Sequence, residues 1–442
     1  MSLAVTPPVA GSPPQGAAGR PTAAARDTAP APAAAWPAAD RMVAQRIAVV
    51  VAAVGLPLLR PGGPGNTGPV DVGLLLGLVA TAAWASWSRH KLRIPYVIPV
   101  GLLIAGGAVA AVVHEVGALG AALTLDQDAY VLLWGVALAN LVARTALLRT
   151  ALRAIGVSGV GWAAVMIVGV VGHVPALSGV TAREGSRASL TLGDPNLAAN
   201  YFLVALFVLR ASRYPRRAVV RWPCCLVVLA AMFLTGSNGG ALTLLLATAV
   251  GVVLRLARTR GGGPAIALAL ILGAGAVAAL SLVDLGGVAL RAQTSLPALR
   301  DSIGRQAESS SSRDALTAEG AQLWRDDGMV GVGPGRTKAE LVRNQAPYVK
   351  EAHDDYLAAF VERGAIGGIG VLLLLGDLLV RAQRIALRPV ADDVTPILPR
   401  PELLAAAVVA VLVSASLYEV LHFRHVWALF GIVAGVEIWG RR

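Results

Sequence analysis

The chain has 442 residues, of which 56% are hydrophobic and only 14% charged, and its mean hydropathy is +0.66. Soluble domains carry roughly 25% charged residues, so this composition excludes an ordinary soluble enzyme and indicates a membrane protein. The net charge of +12 points to no nucleic-acid partner, because the cations lie mostly in short segments between apolar runs, as membrane topology requires.

Residues 1–40 are rich in Ala, Pro and Gly with scattered Arg. They lack the features of a signal peptide and read as a disordered cytoplasmic tail. A membrane-spanning helix needs about 20 apolar residues. The chain offers twelve candidates: 43–60, 70–87, 95–114, 129–148, 155–177, 195–210, 219–235, 239–256, 264–283, 356–380, 402–421 and 425–440. The sixth is short and polar at its start. With the N-terminus inside, the inner connections collect Arg89 and Arg93, then Arg144, Arg149 and Arg153, then the run Arg210 to Arg221, then Arg255 to Arg260, then Arg381 to Arg400. The short outer connections hold only Arg60, Arg183, Arg187 and Arg424, in agreement with the positive-inside rule. Trp84, Trp87, Trp222 and Trp439 fall near predicted inner ends. The expected fold is therefore an all-α polytopic membrane protein with both termini cytoplasmic. Its parts are the tail, spans one to nine (41–283), a long extracytoplasmic connection (284–355) and spans ten to twelve (356–442).

A connection that long is usually functional or disordered. This one has pattern, and the sequence predicts a small ordered cap with short helices near 286–300 and 313–325. The serine run at 309–312 reads as a flexible joint. The adjacent Cys224 and Cys225 lie within an apolar run and form neither a structural disulfide nor a metal motif.

Several chemistry-bearing groups map to the outer face in this topology. Asp126-Gln127-Asp128 spells a three-letter pattern that can hold a divalent ion on a sugar phosphate, and it equally suits an outer connection. Asp194-Pro195-Asn196 opens the sixth span, where Asp194 suits a helix cap and Pro195 the first turn. TGSNGG at 235–240, with Ser237 and Asn238, is a tight turn whose small residues suit close helix packing. Arg313 follows the serines, where a guanidinium can bind phosphate through paired hydrogen bonds or simply be solvated. GVGPG at 331–335, followed by Arg336 and Lys338, allows backbone amides near an anion or serves as a turn. His353 precedes Asp354 and Asp355 at the mouth of span ten. Its imidazole can accept a proton near neutrality, or it can be an interfacial residue ending a span. His114, His173, His422 and His425 share the face without the spacing of a zinc motif.

Four stretches, in this order, resemble the O-antigen ligase family: DPNLAANY (194–201), TGSNGGALT (235–243), LWRDDGMVGVGPG (323–335) and HDDYLAAFVERGAIGGIG (353–370). The last looks like the family's H-N-x-Y-L…E-x-G-x-x-G signature. The resemblance implies a membrane glycosyltransferase of the GT-C-like helical class. It would transfer or polymerise a glycan from an undecaprenyl-pyrophosphate-linked donor onto an acceptor hydroxyl at the outer face of the cytoplasmic membrane, with inversion and without metal or other cofactor. By the same resemblance, His353 assists the acceptor and Arg313 stabilises the pyrophosphate. Asn196, Ser237, Asn238, Arg336, Asp354, Tyr356 and Glu362 line the substrate. The implied partners are a lipid-linked oligosaccharide donor, a polysaccharide or cell-wall glycan acceptor, and membrane lipid. Many members carry arginine where this chain has Asn238, and Arg336, Arg183 or Arg187 are the candidates to replace it. The rival readings are a transporter or flippase of the lipid-linked glycan, and a non-catalytic member of the family.

Overall fold

The computed structural model describes residues 42–440 except 60–67, 89–90, 183, 295–299, 302–305, 327–328, 347–348 and 350–353. The expected tail at 1–40 thus lies outside the described residues. Sixteen helices are seen among the described residues: α1 (Val43–Gly55), α2 (Pro69–Ser88), α3 (Val97–Val113), α4 (Ala118–Leu141), α5 (Thr145–Val171), α6 (Pro175–Ser178), α7 (Pro195–Ser212), α8 (Ala218–Leu234), α9 (Asn238–Arg260), α10 (Gly262–Leu282), α11 (Leu285–Gln293), α12 (Gln306–Asp326), α13 (Thr337–Arg343), α14 (Asp355–Leu387), α15 (Pro401–Ser414) and α16 (Arg424–Trp439).

A helix lies within or across each of the twelve predicted apolar stretches. Five helices are long and apolar enough to cross a membrane, and four more are shorter and apolar. Helices predominate because a backbone in lipid has no water to bond and must satisfy its own N–H and C=O groups. The apolar residues that cannot face protein face outward. Val72, Leu75 and Leu76 on α2 and Ile266, Leu270 and Ile271 on α10 are all exposed, as lipid-facing side chains are.

α7 runs through the middle of the bundle, and nearly all of its residues are buried. Its polar start is thereby enclosed by protein, which explains why the sixth span looked marginal as a lipid-facing segment. Packing elsewhere relies on small residues that let backbones approach. Where α3 crosses α14, a Cβ at Gly106 would stand 2.6 Å from the Gly367 nitrogen, and one at Gly370 would stand 2.7 Å from the Pro99 oxygen.

Polar side chains gather at the two ends of the bundle. At one end, which is rich in arginine, Arg93 N–H donates to Asn140 Oδ1 at 2.9 Å, Arg258 pairs with Glu402 at 3.2 Å, and Arg381 pairs with Glu437 at 2.8 Å. The guanidiniums of Arg93, Arg144 and Arg210 lie over the rings of Trp439, Trp84 and Trp222. At the opposite end Arg424 pairs with Asp71 at 3.1 Å, and Tyr130 Oη donates to the Asp71 carbonyl. This opposite end carries the long connection between α10 and α14.

Three expectations change. The fourth helix starts at Ala118 and ends at Leu141 rather than spanning 129–148, so Arg149 and Arg153 sit on α5 and not in a connection. The earlier start is possible because Asp128 on α4 is neutralised by Arg363 of α14. The serine run at 309–312 is not a joint but lies within α12. Serine disfavours a helix interior only weakly, and the flanking Ala, Glu, Gln and Leu residues override it. The predicted cap helices appear with shifted ends, as α11 and α12. The cap has its own small core of Leu316, Leu323, Val332 and Leu341 packed on Val361 of α14.

Candidate functional site

α14 begins with three polar residues that each fasten the chain. Asp354 Oδ1 accepts the N–H groups of Tyr356 at 2.8 Å and Leu357 at 3.0 Å, capping the helix. The Asp355 carboxylate accepts Val420 N–H at 2.6 Å and Leu421 N–H at 3.0 Å, while its own N–H donates to the Ala415 carbonyl. Tyr356 Oη donates to the Leu412 carbonyl at 2.8 Å. The start of α14 is thereby tied to the end of α15 and to the 415–423 connection. His353, immediately before, lies outside the described residues. The backbone of Arg313 belongs to α12, and its side chain lies outside them.

This connection and the residues flanking it also meet the TGSNGG and DPNLAANY stretches. Tyr418 Oη donates to Ser414 Oγ at 3.2 Å, and its ring lies against Gly239 at the start of α9. Ser414 Oγ in turn accepts from Asn200 Nδ2 at 3.1 Å, and Asn200 Oδ1 lies 2.9 Å from His425 Nε2. His425 is 1% exposed. This buried network was not anticipated. The signal for it was present, because Asn196 and Asn200 are four apart and so share a face of α7.

Asn196 belongs to a second cluster. Its N–H donates to the Asp194 cap at 2.6 Å, and its Oδ1 accepts from Ser237 Oγ at 2.7 Å and from Arg187 Nη2 at 3.2 Å. Ser237 Oγ also accepts Gly240 N–H at 3.0 Å, capping α9. Arg187 is 8% exposed, donates from Nε to the Thr235 carbonyl at 3.1 Å, and pairs with Glu184 at 3.0 Å. Of the two described arginines considered as replacements at position 238, Arg187 is brought beside that turn and Arg336 is held at the His114 carbonyl. Asn238 itself is exposed on the first turn of α9. Arg183 lies outside the described residues.

Deeper along α14 the glycine-rich segment enters a break in the helix. Gly364 has φ +63°, and the ladder is interrupted there. Ala365 N–H donates to the Met329 carbonyl at 2.8 Å. The freed carbonyls of Val361 and Glu362 accept Val332 N–H at 2.8 Å and Gly333 N–H at 3.1 Å. Gly331, Gly333 and Gly335 all have positive φ, which a path this tight requires. The Glu362 carboxylate accepts Gly335 N–H at 2.9 Å and, from Thr337, Oγ1–H at 2.8 Å and N–H at 3.4 Å. It therefore anchors the turn and the first residues of α13. A charge in lipid would cost about 2.5–3.5 kcal/mol on insertion scales, and here it is met by donors instead.

Arg336 donates from Nη1 to the His114 carbonyl at 3.3 Å and pairs through Nη2 with Glu340 at 2.9 Å. Beside it an open cavity of about 590 Å³ is lined by Val116 to Gly120, Thr124 and Pro334 to Arg336. Asp128 of the DxD stretch is engaged with Arg363. Among the described residues no three His, Cys, Asp or Glu side chains come together as a metal site.

The structure thus brings DPNLAANY, TGSNGG and Asp354 to Tyr356 around residues 412–425, with the glycine-rich turn bound lower on the same helix. Residues 223–372 match the family model described as O-antigen ligase. The matched region holds three of the four motif stretches and leaves DPNLAANY outside. No curated protein matches the chain. Its apolar helices fit a multi-pass membrane protein, and over residues 223–372 the chain is similar to the O-antigen ligase family, whose members act in membrane glycan transfer.

Proposed function

We propose that this protein is a metal-independent, inverting glycosyltransferase. It moves or polymerises a glycan from an undecaprenyl-pyrophosphate donor onto an acceptor hydroxyl, at the outer face of the cytoplasmic membrane. The observation that carries the reading is the convergence of three motif stretches on residues 412–425, at the end of the bundle opposite the arginine-rich one. That arginine-rich end is the cytoplasmic one by the positive-inside rule.

In this mechanism the acceptor oxygen attacks the anomeric carbon as the bond to the pyrophosphate oxygen breaks. His353 takes the acceptor's proton. The leaving pyrophosphate gains negative charge, and fixed cations stabilise it without an ion. Arg313 supplies one. Arg187 supplies the second, in place of the arginine that relatives carry at position 238. Its contacts to Asn196 and Thr235 support that role, and Glu184 orients it. Asn196 and Ser237 hold the surrounding turn. Asp354, Tyr356 and Glu362 act on the substrate through position, by fixing the start and the break of α14. The cavity beside Arg336 is the place for sugar of the donor or acceptor chain. The acceptor is a wall polysaccharide or a growing chain of the same polymer.

The test is complementation of a deletion strain, following surface polysaccharide length together with the lipid-linked donor. His353→Ala and Arg313→Ala are expected to express normally, accumulate donor and lose polymer, while EDTA leaves the wild type unaffected. Arg187→Ala is expected to lose polymer and to regain part of it when combined with Asn238→Arg, because the second change returns the charge to the same turn. Wild-type polymer in both His353→Ala and Arg313→Ala would refute the reading. Donor trapped on the inner leaflet would indicate a flippase instead.

A further inference from the structure

The arginine-rich end holds a cluster that the transfer reaction does not use. Arg149 and Arg153 stand one turn apart on α5. With Arg216, Ser212 and Tyr214 from the α7–α8 region, and Pro396 and Ile397 before α15, they line a small cavity of about 20 Å³. That is room for one water-sized group, such as a single phosphate oxygen. Arg153 is held in place by the Tyr214 ring, 4.7 Å from its guanidinium carbon. No carboxylate lines the cavity. Among the described residues none of its three arginines is in a salt bridge, although Arg258, Arg381 and Arg384 at the same end are.

Further cations stand nearby. The guanidinium of Arg400, just before α15, is pushed below its usual range, first by burial and then by Arg255, Arg213 and Arg210. Like charges gathered without acids repel one another, and an external anion relieves that repulsion. Guanidinium groups match phosphate with paired hydrogen bonds.

The surface above the cavity shows where the rest of the ligand goes. Successive steps of four along α5 lead from Arg149 and Arg153 to Val157 and Gly161. Val157 is exposed, and a Cβ at Gly161 would meet nothing within 4 Å. Along α5, the turns beyond the two arginines thus present an apolar, unfilled strip at the surface.

We propose that Arg149, Arg153 and Arg216 form a binding site for a phosphate group, and that the group is the headgroup phosphate of an anionic phospholipid whose acyl chain lies along Val157 and Gly161. The site is independent of the glycan chemistry at the other end.

The test uses the full chain in nanodiscs of phosphatidylcholine with increasing phosphatidylglycerol, read as thermal stabilisation. The triple variant Arg149→Gln, Arg153→Gln, Arg216→Gln is compared with Arg217→Gln, Arg260→Gln, Arg388→Gln, which removes equal charge from the same end. The site variant is expected to need about tenfold more phosphatidylglycerol for half-maximal effect, the ratio that a loss of about 1.4 kcal/mol of binding gives. The control is expected to shift less than about twofold, because its arginines do not line the cavity and act only as screened surface charges. Equal shifts in both would overturn the site and leave only a diffuse charge effect. A second arm adds inorganic phosphate to pure phosphatidylcholine discs. Stabilisation matching that of phosphatidylglycerol would overturn the lipid assignment in favour of free phosphate. Should the triple variant fail to fold, Gly161→Trp fills the strip without touching charge. It is expected to weaken the phosphatidylglycerol response, and an unchanged response would overturn the placement of the lipid.

Discussion

Glu362→Gln probes the coupling between the glycine-rich turn and the break in α14. The wild-type carboxylate receives Gly335 N–H at 2.9 Å on one oxygen, and Thr337 Oγ1–H at 2.8 Å and N–H at 3.4 Å on the other. Glutamine keeps one oxygen. If that oxygen stays on Thr337, the new amide N–H faces the Gly335 N–H, and one bond is lost. Hydrogen bonds to charged groups contribute about 1.5–3 kcal/mol. The docking of the turn should therefore weaken by about 2 kcal/mol, or roughly 30-fold in its local opening equilibrium. The backbone bonds from Val332 to Val361 and from Gly333 to Glu362 would open with it. Amide hydrogen exchange in detergent reads this directly: Val332, Gly333 and Gly335 should exchange about 30-fold faster in the variant, with α7 unchanged. Wild-type exchange at Val332 and Gly333 would refute the view that Glu362 holds the turn. A variant that exchanges fast everywhere would refute the local character of the coupling.

Gly364→Ala should be among the most damaging single changes. The residue has φ +63°, and a methyl there would overlap the carbonyl oxygens of Met329 and Val330, so folded yield in detergent should fall sharply while Gly376→Ala, in open space, leaves it unchanged. Asp355→Asn leaves the Val420 and Leu421 amides with a neutral acceptor, and thermal unfolding should show a loss of about 1–2 kcal/mol; an unchanged midpoint would show that these bonds add nothing. A pH effect is expected where Asp301 meets the 184–187 segment. The Ser186 N–H and hydroxyl hold its carboxyl below the usual value of 3.8. A depressed carboxylate stabilises above its unfolded pKa and loses that contribution as pH falls through the lower folded value. The contact should thus persist at neutral pH and open only below about pH 4, as seen by proteolytic accessibility of the segment, and Asp301→Asn should remove the dependence.

Much of this architecture was legible because membrane physics writes strong signals into sequence. Apolar runs mark helices since lipid supplies no hydrogen bonds. The arginines that separate the runs mark one end, and Arg93, Arg144 and Arg210 do gather there with their tryptophans. Asp194 was readable as a helix cap from local chemistry, and it caps α7. The extent of α4 was not readable, because Asp128 looks like the edge of a span until Arg363, far along the chain, neutralises it. The helical serine run was hidden because Ser is a weak breaker whose neighbours decide.

The candidate site divides in the same way. Residue types and their order in four short stretches sufficed to suggest the family. Their spatial relation depended on long-range contacts that no local pattern encodes. That Asp355 holds the Val420 and Leu421 amides, some 65 residues away along the chain, was not readable from its neighbours. Arg187 was one loop arginine among several until folding set it against Asn196 and Thr235. The sequence by itself determined which segments are helical, which end is basic and which family the chain resembles, since these follow from local composition and spacing. Only the tertiary structure decided which polar groups meet, because a buried polar group takes whatever partner the crossing helices bring within hydrogen-bond reach.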